Sequence, residues 1–341
     1  MRLNNLHIMV YATLSFLLVG SKDIFSQDPQ FSQFYAASLY LNPAFTGNTI
    51  QGRVAGNYRK QWPRVPGAYT SSAFSYDQNF NKYKSGVGIL LISDKAGSGS
   101  LKFTSVGGLY SYHLAIKRNL SVRAGARASH IIRSVDISAL TFTDQFVRDD
   151  PNSSVENIER SKISYLDIAA GSIIYSDRFW FGVSVNHLNT PNQSFTGISS
   201  DLPMIFSAHG GYNIDLQKNE KDLVTKSLTL GMNYNSQQNW DQLDLGVNFT
   251  QNSFVTGIWY RGIPLLKAYK PLYSNNDALI AVIGYTVKDY LTIGYSYDLT
   301  ISKLGMGTLG SHEISIIYEF AQPEYKRDGM KKNFLIPCTK F

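Results

Sequence analysis

"LTIGYSYDLT", residues 291–300, is the stretch whose reading decides the fold. Leu291, Ile293, Tyr295, Tyr297 and Leu299 fall on one face. Thr292, Gly294, Ser296, Asp298 and Thr300 fall on the other. An apolar–polar period of two is the signature of a strand with two different environments. Residues 228–235 repeat it, with Leu228, Leu230, Met232 and Tyr234 against Thr229, Gly231, Asn233 and Asn235. So do residues 242–249, where Leu243, Leu245, Val247 and Phe249 alternate with Gln242, Asp244, Gly246 and Asn248.

The polar faces separate a soluble sandwich from a membrane barrel. They are rich in Gly, Ser, Asn and Thr and poor in Lys and Glu, whereas a water-facing sheet carries more charge. An outer-membrane barrel turns its apolar face to lipid, its polar face to the lumen and aromatic rings to the interfaces. The chain holds 22 Tyr, 19 Phe and 27 Gly, and the glycines run through the strand-like segments. Segments of about ten residues match the length a tilted strand needs to cross a bilayer. The expectation is an all-β, transmembrane antiparallel barrel over residues 50–320, with about fourteen strands. They fall at 50–60, 67–78, 85–94, 99–116, 120–133, 161–175, 179–187, 202–214, 226–235, 240–250, 253–262, 277–287, 290–300 and 311–320.

The connections supply a second test. With both termini in the periplasm, odd connections face outward and even ones are tight turns. Lys117–Asn119, Ser176–Arg178, Gln251-Asn252 and Lys288-Asp289 are even and short. The stretches 134–160, 188–201, 263–276 and 301–310 are odd and long. The charged 215–225 connection breaks this phase. In the last strand His312, Ile314, Ile316, Tyr318 and Phe320 share one face and end on an aromatic, as barrel assembly signals do.

The N-terminus reads as a secretory signal over residues 1–26. Arg2 supplies the positive charge, Leu6–Val19 the short apolar stretch, and Ile24-Phe25-Ser26 the cleavage site. Between it and the first strand, residues 27–49 have many aromatics and no alternation. Phe31, Phe34, Tyr35, Tyr40 and Phe45 are too apolar to remain solvated, and the turn at Asn42-Pro43 compacts the segment. The expectation is a short luminal plug that starts at the periplasmic mouth.

Few residues suggest chemistry. His113, His130, His187, His209 and His312 are dispersed among the strands, without metal-ligand spacing, and read as lumen or interface histidines. There is no Gly-x-Ser-x-Gly elbow, and Gly97-Ser98-Gly99-Ser100 is a turn rather than a phosphate loop. Asp144, Asp149 and Asp150 lack the ordered spacing of a calcium loop and read as a solvated face. The expectation is a protein that is not an enzyme and carries no cofactor. The net charge of +7 is mild and forms no basic stripe, so nucleic acid is not an expected partner. The lone Cys338 can close no internal disulfide.

Two stretches suit partners. In Tyr58–Gly67 two prolines interrupt the strand, and Trp62, with Tyr58 and Tyr69, suits the membrane interface. Arg59, Trp62, Arg64 and Pro66 are the candidate contacts on the extracellular side, for a partner or for lipid. Residues 321–341 form a basic tail with Lys326, Arg327, Lys331, Lys332 and Lys340 against Glu324 and Asp328. Lys326, Arg327, Lys331, Lys332 and Cys338 are the candidate periplasmic contacts.

Long blocks in order resemble a known family. They are "QDPQFSQFYAASLYLNPAFTG" at 27–47, "YRKQWPRVPGAYTSSAFSYD" at 58–77, "YSYHLAI" at 110–116, "LTFTDQF" at 140–146 and "GSHEISIIYEF" at 310–320. They resemble the PorP/SprF family of outer-membrane proteins, linked to type IX secretion and gliding in the Bacteroidota. The family commonly ends on Cys-Pro before a basic residue and Phe. Here the order is Pro337-Cys338-Thr339-Lys340-Phe341, which departs from that pattern. The resemblance implies a non-enzymatic barrel in the outer membrane. It would serve export or surface anchoring of a large secreted adhesin with a C-terminal sorting domain. It also implies a periplasmic partner, a peptidoglycan-binding lipoprotein or another secretion component. Fourteen strands and an Asn-Pro-Ala turn also resemble the long-chain fatty acid channel architecture, which would make the chain a channel for small hydrophobic solutes.

Overall fold

The computed structural model describes residues 28–97, 101–117, 119–136, 140, 145, 161–220, 224–270, 273–288, 290–302, 306–320 and 335–338. The expected signal and the tail residues Lys326, Arg327, Lys331 and Lys332 lie outside them, as do Asp144, Asp149 and Asp150. The chain divides into two compact units, Met1–Gln30 and Phe31–Phe341. In the first, only Asp28, Pro29 and Gln30 are described, without regular structure.

The second unit is a closed barrel in which every strand pairs antiparallel with its neighbours in sequence. The strands are β1 Gly52–Gln61, β2 Tyr69–Phe80, β3 Ser85–Ala96, β4 Leu101–Lys117, β5 Leu120–Ser134, β6 Lys162–Tyr175 and β7 Phe179–Asn186. They continue as β8 Ile205–Lys218, β9 Val224–Gln237, β10 Trp240–Gln251, β11 Phe254–Lys270, β12 Tyr273–Val287, β13 Leu291–Thr300 and β14 Ser311–Glu319. Strands β1 and β14 close the ring, from Arg53 opposite Glu319 to Gln61 opposite Ser311. Closure leaves no edge strand, so the ladders satisfy the wall's backbone groups without water.

The alternation read from the sequence is the alternation of the wall. In β4, Val106, Tyr110, Tyr112, Leu114 and Ile116 are exposed outward, while Ser105, Leu109, Ser111 and His113 are buried inward. In β14, Ile314, Ile316 and Tyr318 face out, as does Phe320 just after it. An inside-out pattern of this kind is stable only against lipid.

Two connections differ from their sequence reading. The charged stretch 215–225 is not a long connection, because β8 and β9 run to Lys218 and from Val224. Register shifts at Asp215, Gln217 and Lys218 absorb the extra length. The stretch 263–276 is not a long loop either, since β11 and β12 run through it to Lys270 and from Tyr273. In both hairpins backbone pairing continues without apolar alternation, so the sequence pattern stops before the strand does. One rim therefore carries only short turns. The other carries the long connections 135–161, 187–204 and 301–310.

The histidines scatter over both faces of the wall. His113 and His209 are buried inward, His187 follows β7, and His130 is exposed. His312 faces outward, where its Nδ1 lies 2.8 Å from the Tyr295 hydroxyl. The lumen is also more charged than the alternating segments suggested, with Arg53, Arg59, Asp77, Arg123, Asp244 and Glu313 all buried on it.

Candidate functional site: the occupied lumen

Residues Phe31–Thr49 lie inside the barrel. They form one helical turn, α1 Ser38–Leu41, followed by a 3-10 turn at Pro43–Phe45. The local chemistry explains the second turn. Pro43 restricts Asn42 to the extended region, where it has ψ 123°, and presets its own φ for the turn. The Asn42 side chain then accepts the Ala44 N–H at 2.9 Å, an N-cap bond.

The barrel wall is cut to receive this turn. A side-chain carbon on Gly171 would come within 2.2 Å of Asn42 Oδ1. One on Gly125 would meet the Pro43 carbonyl at 2.5 Å, and one on Gly86 the Thr46 carbonyl at 2.3 Å. Only glycine leaves room for such close backbone approach. Polar groups then hold the turn. Asn42 Nδ2 donates to the Val183 carbonyl at 3.0 Å and lies 3.1 Å from His209 Nε2. Ser111 Oγ donates to the Thr46 carbonyl at 2.6 Å. Gly47, at φ +73°, donates its N–H to Asp77 Oδ2 at 2.8 Å. Arg53 Nε holds the other oxygen of Asp77 at 3.0 Å.

The other end of the segment is fixed by a buried charge network. Ser32 donates its N–H to Glu313 at 2.7 Å and its hydroxyl to Asp298 at 2.6 Å. Gln33 donates its N–H to Glu313 at 3.3 Å and accepts the Ser315 hydroxyl at 2.6 Å. Arg59 pairs with Asp298 at 2.9 Å and with Glu313 at 3.5 Å, and also donates to Ser32 Oγ. Arg261 bridges Asp244 at 2.8 Å and Asp298 at 3.1 Å and donates to Ser32 Oγ at 3.1 Å. No charged side chain in this network is more than 2% exposed. Charges this deep are tolerated only when they are paired and hydrogen-bonded.

Aromatic rings fill the space between. Phe34 meets Trp259 edge-on at 5.0 Å and Tyr35 meets Trp180 at 5.6 Å. The Tyr35 hydroxyl donates to the Gly210 carbonyl at 3.1 Å. Phe45 stacks on His209 at 5.3 Å. Phe31 packs against Tyr40 at 5.7 Å within a cluster that includes Ala73, Leu90, Ile92 and Leu109.

These contacts set a direction. Arg59, Asp298 and Glu313 stand toward the rim of long connections, whereas Thr49 is held by Asn79 beside the β2–β3 turn at the other rim. The segment therefore descends from the long-connection half to the short-turn rim.

The remaining candidate residues separate. Arg59, grouped by sequence with extracellular partner contacts, is buried in the network above and is withdrawn from that group. Trp62, at φ +52°, donates its N–H to the Gly310 carbonyl at 2.8 Å and packs on Tyr69 at 5.9 Å. Arg64 and Pro66 are exposed on the same β1–β2 connection. Cys338 is half-buried against the apolar cluster of Phe34, Tyr35 and Phe45. Ser32, Gln33, Asp244, Arg261 and Glu313 were not singled out from sequence. Strand parity assigns the three wall residues among them, and Asp298, only to the inward face. Among the described residues, no cluster of His, Cys, Asp and Glu could hold a metal ion.

Solved barrels of similar shape include the Ralstonia pickettii toluene transporter TbuX, at 12% identity and TM-score 0.48, covering 84% of this chain and 94% of that one. The Pseudomonas putida toluene transporter TodX is 10% identical with TM-score 0.48, over 87% of this chain and 98% of that one. A Pseudomonas aeruginosa FadL homologue is 13% identical with TM-score 0.44, over 84% and 94%. No curated protein matches the chain. A family profile described as type IX secretion system membrane protein PorP/SprF matches residues 24–318, through the luminal segment and nearly all of the wall. With the barrel and its occupied lumen, that match identifies the chain as an outer-membrane barrel belonging to the PorP/SprF family of type IX secretion system membrane proteins.

Proposed function

We propose that this barrel is a plugged, non-enzymatic scaffold of the type IX secretion and gliding machinery rather than a conduit. The observation that carries the reading is the lumen itself. Residues 31–49 occupy it, and Ser32, Gln33, Asn42 and Gly47 are bonded to the wall at 3.3 Å or less. A path for hydrophobic solutes would need that space, and its wall would expose apolar rather than ionic side chains. The long connections face outward, with Trp62, Arg64 and Pro66 on the rim that meets a large secreted adhesin carrying a C-terminal sorting domain. The short-turn rim faces the periplasm. There the basic tail, through Lys326, Arg327, Lys331, Lys332 and the adjoining Cys338, serves a peptidoglycan-binding lipoprotein or another secretion component. Both termini lie on that periplasmic side in this reading.

The test is gentle purification of the barrel from its native membrane, with identification of what accompanies it. Co-purification of an adhesin or a periplasmic secretion component is expected. A solitary barrel that admits hydrophobic solutes into liposomes would contradict the scaffold.

A further inference from the structure

The C-terminal residues Leu335–Cys338 are not a trailing end. Ile336 is 4% exposed and joins the buried cluster that contains Phe34, Tyr35, Leu41 and Phe45. Its N–H donates to Asn48 Oδ1 at 2.8 Å. Asn48 is itself buried, and its own N–H is held by the Phe45 carbonyl at 2.9 Å, at the end of the 3-10 turn. Cys338 packs against the same cluster. The neighbouring Thr49 carbonyl accepts from Asn79 at 3.0 Å, which fixes this seat at the short-turn rim.

We infer that the socket beside Asn48 is a peptide seat, occupied in cis by Leu335–Cys338, which straps the lower end of the luminal segment into the barrel. The socket selects an aliphatic side chain for its apolar wall and a backbone N–H for the Asn48 oxygen. Ile336 meets both requirements. The strap is independent of the charge network at Ser32, so the segment is held at two levels. It is also independent of the scaffold reading, because it needs no partner.

Cys338 is the chain's only cysteine and so reports the strap without an added probe. The experiment is the rate at which a membrane-impermeant maleimide labels Cys338 in the full chain in detergent. Retention of the fast-migrating folded band in unheated gels controls for folding. The folded wild type is expected to label about tenfold more slowly than the urea-unfolded chain, because the segment must first undock. Asn48→Ala, which leaves the Ile336 N–H unpaired, should speed labelling about fivefold, and Ile336→Asp should speed it further. Equal rates for folded and unfolded wild type would overturn the strap. So would folded Asn48→Ala and Ile336→Asp variants that label at the wild-type rate. Should either variant fail to fold, the wild-type comparison alone decides.

Discussion

Asp298 is the residue on which the luminal network turns, since Arg59, Arg261 and Ser32 all reach its Oδ2. Asp298→Asn keeps the shape but leaves two buried guanidinium groups short of a counter-charge. Removing one partner of a buried ion network costs about 3–5 kcal/mol. The folded band of the variant should therefore convert to the unfolded one at a clearly lower temperature in a heat-modifiability series. A second residue shows what the sequence hid. Arg59 was read with the Pro-rich stretch around Trp62 because both are charged or aromatic and adjacent. Strand parity already contained the answer, since Arg53, Ala55, Asn57 and Arg59 all face inward while Tyr58 faces out. What parity cannot supply is the partner. Ser32 and Glu313 are 281 positions apart, and nothing local links them.

Among the elements, the strands were the most legible part, because a wall with lipid on one side and packing on the other imprints a strict period of two. Legibility failed where that contrast ended, at the hairpin ends of β8–β9 and β11–β12. The lipid contrast makes its own prediction. Ile89 faces outward midway along β3 and is 53% exposed. Ile89→Arg should cost about 2–4 kcal/mol if it lies at the bilayer midplane, less toward either interface, measured by reversible unfolding in lipid vesicles. The glycine track makes another. Gly125→Val places carbon atoms against the Pro43 carbonyl and should destabilise the barrel by about 1–3 kcal/mol through overpacking. It should also make the luminal segment accessible to protease. Gly56 faces open space, so Gly56→Ala should leave protease resistance unchanged. Equal behaviour of the two variants would show that the wall is not fitted to the turn.

For the whole molecule, the sequence conveyed that an aromatic N-terminal segment must be sheltered, and the structure adds how. Apolar content and a turn signal are local quantities, so a compact segment was readable. Its path down the lumen depends on which wall charges meet, and its direction was not readable. On the proposed reading the barrel, the descending segment and the seat at Asn48 together close a cylinder that would conduct without them. Electrical recording of the purified full chain in a planar bilayer tests this most directly, beside a variant lacking residues 31–47. The account predicts no steady current for the full chain and an open, ohmic pore for any folded deletion variant. A steady ohmic current from the full chain, with Ser32 and Asn42 intact, would contradict it.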